Sequence, residues 1–339
     1  MGGTHMKNFS LLTSHFSLKK NLLAFSAGID SSALFFLLIE HGVSFDIAIV
    51  DYGLRPESKR EVAHAQALAK LYSLKCYTIT APIFERNFES NARTFRYAWF
   101  ESLIAGHGYE TLLTAHQLND QLEWFLMRLT RGAGLNELIG MEPVQKRSGY
   151  TLVRPLLAFC KAELLEYLTE HNYPYFVDES NHDTHHERNR FRHNFSDPLI
   201  EQYGEGIRRS FAYLTDDRSI LRAGFALIHR NRDLRIFRVD HPRLVARAAD
   251  QALKELGYLL SAPQRREIER NSSLVIGGVW ALEFTGDWLW VAPYDPLPMP
   301  KPFKETCRVL KIPPKIRHYL YRQEIDPVSL QQLIHNSGI

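Results

Sequence analysis

The sequence predicts an α/β protein: a parallel sheet with helices on both faces, plus a smaller C-terminal α+β domain. Over residues 20–130, short apolar runs alternate with helical periodicities, the pattern of strands joined by crossover helices. Between the first run and the first helix lies a tight loop of small residues, Ser26-Ala27-Gly28-Ile29-Asp30-Ser31. Beyond Gly204 the alternation gives way to a long amphipathic stretch, two helical patterns and a tryptophan-bearing hairpin.

The first apolar run is Leu22–Phe25, and the helical run Ala33–Ile39 after the loop ends at His41-Gly42. Phe45–Val50 reads as a second strand. Pro56–Tyr72 reads as a helix: Pro56 suits the first turn, Glu57 and Glu61 suit its positive end, and Val62, Ala65, Leu68, Ala69 and Tyr72 share a face. Lys75–Ile79 is the third expected strand. Glu89–Ala105 is helical, with Ala92, Phe95, Trp99 and Leu103 spaced by three and four. Glu110–Ala115 is the fourth expected strand, Asn119–Leu129 the next helix, and Leu156–His171 a helix leaving the sheet. In such sheets ligands sit beyond the carboxyl ends of the strands, so the loops after Phe25, Val50, Ile79 and Ala115 should converge.

The C-terminal part reads as helices at His241–Leu256 and Ala262–Arg270 and two strands, Val279–Phe284 and Trp288–Val291, joined at Thr285-Gly286-Asp287. Trp280, Trp288 and Trp290 fit either base stacking or a core. Expected boundaries are a catalytic domain over 7–205, linker helices over 206–230 from the amphipathic stretch Gly204–Arg230, a small α+β domain over 231–294, and a basic segment over 295–339 entered through the Pro-rich stretch Pro293–Pro302. The opening six residues, MGGTHM, read as a cloning remnant.

Of 339 residues, 45% are hydrophobic and 12% aromatic, a globular composition with room for two domains. No apolar run is long enough to span a membrane, and no signal peptide is recognisable. Cys76, Cys160 and Cys307 lie far apart without a CxxC, which suits the reducing cytoplasm and argues against structural zinc or an iron–sulfur cluster. His182, His185, His186 and His193 have no cysteine or carboxylate partner at a zinc spacing. The chain carries a net charge of +3, yet Lys301–Arg322 alone holds seven Lys/Arg against Glu305. That excess of six makes the remainder acidic by three charges, so this stretch is either a polyanion contact or a solvated face.

Strand, small-residue loop and helix N-terminus form a recipe for holding phosphate. Free N–H groups and the helix dipole meet the anion, and small side chains let the backbone come close. Ser26, Ser31 and Ser32 add hydroxyls. The loop has neither the GK[ST] of a Walker A nor GxGxxG. Asp30 would repel a phosphate unless a cation stood between them, a place for Mg2+ with Asp30 among its few protein ligands. An ordinary strand–turn–helix fits the same residues. The loop resembles the SGGxDS pyrophosphate loop of N-type ATP pyrophosphatases, with Ala27 in place of the first glycine.

The second chemical stretch is Thr114–Gly134, TAHQLNDQLEWFLMRLTRGAG. His116 stands at a strand end, and Asp120 and Glu123, three apart, share a helix face near its N-terminus. Such a pair fits a metal, an incoming amine, or acids that merely offset the helix dipole. This stretch resembles AHHxDDQxET of the tRNA(Ile)-lysidine synthetase family. Further matches are Val50–Ser58 with V(N/D)HGLRPES, Ala92-Arg93 and Arg96-Tyr97 with AR..RY, Leu129–Gly134 with RxxRGxG, Arg154–Leu157 with RPLL, and Asp178–Asn181 plus Arg188–Arg192 with D.SN…RNRIR. They cover residues 20–210 in order. Gln117 replaces a histidine, Asn119 the first aspartate of DD, and Trp124, read as packing, a threonine.

The resemblance implies an adenine nucleotide alpha hydrolase-like PP-loop domain using ATP and Mg2+. The family's partners are the isoleucine tRNA with a CAU anticodon and free L-lysine; a homodimer is left open. Ser26–Ser31 would bind the nucleotide and Asp30 the Mg2+. Asp30, His116, Asp120, Glu123 and Arg131 would form the reaction centre. Asp120 and Glu123 would bind and deprotonate the lysine amine, and Arg93, Arg96 or Arg131 would offset the charge of departing pyrophosphate. Substrate contacts would come from Arg93, Arg96, Asn181, Arg188, Asn189 and Arg192. On a helix Arg188 and Arg192 share a face, suited to phosphate or to salt bridges. The C-terminal stretch resembles the family's last element weakly, and its charge makes Lys311, Lys315 and Arg317 candidates for tRNA phosphate. A thiolating PP-loop enzyme would be expected to carry paired cysteines, a GMP-synthetase-like amidotransferase a glutaminase partner, and a non-catalytic tRNA-binding module would account for Ala27 and Asn119.

Overall fold

A computed structural model describes residues 16, 18–53, 57–84, 86–177 and 187–336. The readings at Leu54-Arg55-Pro56, at Asp178–Asn181 and at His182, His185 and His186 lie outside these residues. The chain divides into two compact units between Thr215 and Asp216.

The first unit is built on a six-stranded sheet. Its strands are β1 (Asn21–Ala24), β2 (Phe45–Asp51), β3 (Cys76–Thr80), β4 (Thr111–Leu113), β5 (Val144–Arg147) and β6 (Tyr150–Val153), in spatial order β3-β2-β1-β4-β6-β5. All neighbours run parallel except β5, which folds back on β6. Helices α1 (Ile29–Glu40), α2 (Glu57–Leu71) and α3 (Phe88–His107) connect the first four strands. Alternate strand residues face opposite layers, as strand geometry requires. Leu23, Ile47, Leu113 and Val153 pack with α1, while Leu22, Ala48, Leu112 and Leu152 pack with Phe100 and Ile104 of α3. With both faces buried, the strands read as unbroken apolar runs. The strand order reverses at β1, whose neighbours β2 and β4 leave a crevice at their carboxyl ends.

Beyond β4 come α4 (Leu118–Leu129), the short α5 (Leu135–Ile139) and, after the β5–β6 hairpin, α6 (Lys161–Glu170). The helix expected over Leu156–His171 starts later. Arg154–Phe159 forms a turn with Leu156 and Leu157 buried, and Glu163 Oε2 accepts the Cys160 N–H at 2.6 Å, capping α6 there. Next are α7 (Glu187–Phe191), a π turn (Arg192–Ser196) and α8 (Asp197–Ala223), whose backbone kinks at Tyr203.

The second unit holds an antiparallel five-stranded sheet in the order β7-β8-β11-β10-β9. Its strands are β7 (Phe225–Asn231), β8 (Leu234–Val239), β9 (Ser273–Ile276), β10 (Trp280–Thr285) and β11 (Trp288–Pro293). One face packs on α9 (Val245–Glu255) and α10 (Ala262–Arg270), through Ala249, Leu253 and Leu282 among others. The opposite face packs on α11 (Lys301–Val309), α12 (Pro314–Arg322) and α13 (Pro327–Asn336), through Trp290, Cys307, Ile316 and Leu320. Trp290 therefore lies in a core and Trp280 and Trp288 pack at core edges. The basic stretch is amphipathic, with its apolar stripe covering a sheet.

Candidate active site

The loop after β1 enters the crevice in a strained conformation. Ala27 is fully buried at φ +60°, the left-handed region that costs an L-residue about 1–2 kcal/mol. Two donors hold its carbonyl: the Phe176 N–H at 2.8 Å and the Ser32 hydroxyl at 3.2 Å. Gly28 has extended backbone, and α1 begins at Ile29. Ser31 Oγ accepts from the Ser26 N–H at 3.2 Å, donates to the Gly28 carbonyl at 3.2 Å and lies 3.1 Å from Ser26 Oγ. Ser26 through Ser31 thus form one braced loop, with both hydroxyls facing a cavity of about 200 Å³. Tyr52 after β2, Arg96 on α3 and Thr114 and His116 after β4 complete its wall.

Asp30, in the first turn of α1, points into this cavity, and its Oδ1 is buried with no hydrogen-bond partner. Burial, then the charges of Asp120 and Asp197, push its pKa up to about 7; Lys161 and Arg192 oppose this. A buried, unpartnered carboxylate oxygen beside a phosphate cradle suits a divalent cation. Among the described residues no three His, Cys, Asp or Glu side chains cluster as a metal site, so Asp30 would share Mg2+ with phosphate oxygens and water, the usual Mg2+ arrangement.

His116 also lines a second cavity, of about 440 Å³. Its Nδ1 shares a hydrogen bond with Thr114 Oγ1 at 3.0 Å. Burial holds its pKa down to about 4; Asp120 works against the shift, while Arg154, Arg96 and Arg93 reinforce it. Arg93, Glu123, Trp124 and Arg188 belong to the wall of this second cavity. Trp124 packs its ring over Gly140, donates to the Glu137 carbonyl at 2.8 Å and lies under Arg128 at 4.2 Å. It is packing that also shapes the cavity.

Helix α4 is positioned from both ends of its first turn. The Leu118 N–H donates to the Phe159 carbonyl at 2.8 Å, and Asp120 Oδ2 accepts the Gln117 N–H at 3.1 Å in a capping box. Asp120 therefore caps a helix and also faces the site. Asp120 and Glu123 share the expected face, and both are buried. Arg192 reaches Glu123 Oε2 at 2.9 Å and Asp120 Oδ1 at 3.0 Å; Arg188 pairs with Glu123 Oε1 and lies 3.6 Å from Asp120 Oδ1. Burial raises the Glu123 pKa despite both arginines.

The residues from 3 to 199 match a PP-loop domain. Over 92% of its length the chain is 44% identical to a tRNA(Ile)-lysidine synthase of Campylobacter jejuni, covering 95% of that protein. The tRNA(Ile)-lysidine synthases of Wolinella succinogenes and Helicobacter pylori are each 40% identical, with 91% and 90% of this chain and 94% and 90% of theirs covered. The chain belongs to the tRNA(Ile)-lysidine synthase family. A U34-tRNA thiolase NcsA from Methanococcus maripaludis has the same fold at 16% identity, with a TM-score of 0.51 over 62% of this chain and 78% of that one.

The first unit of this family member thus gathers Ser26 to Ser31, Arg93, Arg96, His116, Asp120, Glu123, Arg188 and Arg192 at one sheet edge. Arg188 and Arg192 share a face as expected, and here they pair with the acids. Arg131 pairs with Glu187 near the surface, Asn189 is half-buried on α7, and Asn181 lies outside the described residues. Lys311, Lys315 and Arg317 belong to the second unit. Lys311 is exposed, Lys315 approaches Glu283 Oε1 at 3.6 Å, and Arg317 Nε donates to the Ile312 carbonyl at 2.8 Å. Tyr52 and Thr114 lie in stretches that the sequence singled out, without a site role of their own, and Lys161 and Asp197 went unseen there. Asp197-Pro198 carries only the signal of a helix start.

Proposed function

We propose that this chain joins free L-lysine to the wobble cytidine of the isoleucine tRNA with a CAU anticodon. ATP adenylates the ring carbonyl oxygen, pyrophosphate leaves, and the lysine ε-amine then displaces AMP. The product, lysidine, pairs with A in place of G and changes the tRNA from methionine to isoleucine identity. The observation that supports this reading most directly is His116, which lines both the phosphate-loop cavity and the cavity of the acid–arginine cluster. A base activated on one side would be open to an amine on the other.

The braced N–H groups and hydroxyls of Ser26–Ser31 would hold the phosphates, and Arg96 would offset their charge. Mg2+ between Asp30 and the phosphates would neutralise the departing pyrophosphate. The lysine ammonium would take the Glu123 oxygen that Arg188 holds here. Arg188 is the looser partner, its side chain 40% exposed against 16% for Arg192. Glu123, with its pKa raised by burial, suits a group that accepts a proton. That transfer matters, because a pKa near 10.4 leaves less than about 0.1% of lysine amine neutral at pH 7. His116, held neutral, adds no charge against the incoming cation. No described helix is long and apolar enough to cross a membrane, and the substrates suggest the cytoplasm as the place of work.

The test is AMP release with one component omitted at a time from protein, Mg2+, ATP, lysine and the CAU-anticodon transcript. AMP requiring both lysine and that tRNA, with radiolabelled lysine entering the RNA, is the expected result. AMP indifferent to lysine would move the acceptor chemistry towards thiolation or amidation. Bound tRNA without AMP would leave a binding module.

A further inference from the structure

Helix α4 meets the chain after residue 186 with three side chains. Asp120 and Glu123 take Arg188 and Arg192, and Asn119 takes Asp197. Asn119 is buried, and both ends of its amide are used. Its Nδ2 donates to Asp197 Oδ1 at 2.7 Å, and its Oδ1 accepts the Lys161 N–H at 3.2 Å. An aspartate at 119 could keep the second bond but not the first. It would set two carboxylates at hydrogen-bond distance, where both cannot stay ionised.

The backbone is bent to make this contact. Arg192–Ser196 is a π turn, closed by the Asp197 N–H on the Arg192 carbonyl. On an α-helix, side chains five apart diverge by about 140°. The wider turn returns the fifth residue to the same side, so Arg192 and Asp197 both face α4. Such turns are uncommon and concentrate at functional sites.

We propose that Asp197 is a positioning residue of the reaction centre, fixed in place by the hydrogen bond from Asn119, and that its charge strengthens the hold of Asp30 on a divalent cation. The DD motif that this chain resembles has a carboxylate at 119; here the carboxylate stands across a hydrogen bond, at 197. Asp197 and Asp120 both act on Asp30 through space, against Lys161 and Arg192. The inference rests on the proposed function only in assuming Mg2+-dependent ATP binding at the loop.

The experiment titrates Mg2+ against binding of a fluorescent ATP analogue, with melting temperature in parallel. Asp197→Asn keeps the hydrogen bond from Asn119 and removes only the charge. It should raise the half-saturating Mg2+ concentration at least about threefold with the melting temperature unchanged. Asn119→Asp should lower the melting temperature. The exchanged double variant, Asn119→Asp with Asp197→Asn, should return both readouts to native values. Native Mg2+ dependence in Asp197→Asn would overturn the inference. So would an exchanged variant that keeps the Asp197→Asn defect, which decides the matter even if a single variant fails to fold. Neither lysine nor tRNA is needed, so loss of the lysidine reading would leave this result standing.

Discussion

The Phe176 N–H donates to the Ala27 carbonyl at 2.8 Å, tying the strained phosphate loop to the chain that leaves α6. Gly28 and Phe176 form a parallel bridge at the same point. The left-handed backbone at Ala27 is therefore imposed by its surroundings. Ala27→Gly should remove the strain at about the cost of the extra unfolded-state entropy, for a net change within about 1 kcal/mol. Ala27→Val adds a branched side chain to a left-handed, buried position and should cost more than about 2 kcal/mol. Urea unfolding of the two variants checks this; equal effects would mean that φ at 27 is not what limits the loop.

Asp30→Ala should abolish AMP formation while leaving tRNA affinity nearly native. Asp30 faces the phosphate-loop cavity and has no other partner for its Oδ1. Filter binding and AMP release on the same preparation separate the two effects. Normal turnover would end the Mg2+ role.

Arg192 holds the buried acids together, so its loss and theirs should be coupled. Arg192→Ala leaves Glu123 and Asp120 short of a counter-charge and should cost about 3 kcal/mol. Glu123→Gln in the same chain should recover part of that loss. On its own, Glu123→Gln should slow lysine transfer by at least about a hundredfold. Stability losses that simply add would show that the arginine and the acid do not share an interaction.

How much of this was legible follows from what a local window carries. The phosphate loop needs only a strand, small residues and a helix in succession, and Asp120 and Glu123 need only helical spacing. The pairing of Arg188 and Arg192 with those acids joins residues 65 or more positions apart, so spacing could show a shared face but not what it faced. Asp197 was hidden for the same reason, its partner Asn119 being 78 positions away. Strands β7 and β8 fell next to or inside an amphipathic pattern read as helical, and the bulge between Leu227 and His229 breaks the alternation that would mark a strand. In α12, basic residues mask a buried stripe of Ile316, Tyr319 and Leu320.

The basic stretch should divide by experiment. Lys311→Ala, on an exposed side chain, should leave stability within about 0.5 kcal/mol. If Lys311 contacts phosphate, the salt dependence of tRNA binding should flatten by about 0.7 log units per decade. Lys315→Ala should instead cost about 1–3 kcal/mol, because Glu283 is buried and loses its neighbouring cation. A destabilised Lys311→Ala, or an unchanged salt slope, would remove Lys311 as a phosphate contact.

Asp30 and His116 should hide each other's pH dependence in protein free of metal and nucleotide. The Asp30 pKa is raised in the fold to about 7, chiefly by burial. Its contribution to stability is fully present below its unfolded pKa of about 3.8 and is lost as pH rises through about 7. The His116 pKa is lowered to about 4, again chiefly by burial. Its contribution is present above about 6.5 and is lost as pH falls through about 4. Between about pH 4 and 6.5 the two slopes oppose each other, so the native protein should show little net change. Asp30→Asn uncovers the histidine, and that variant should gain stability as pH rises across the window, on the order of 2 kcal/mol. His116→Gln uncovers the aspartate and should lose a similar amount in the same direction. Urea midpoints in half-unit steps from about pH 4.5 to about pH 7.5 give the three curves. Curves that coincide would mean that neither group keeps its neutral form in the fold, and the case for a cation-seeking carboxylate at 30 would go with them.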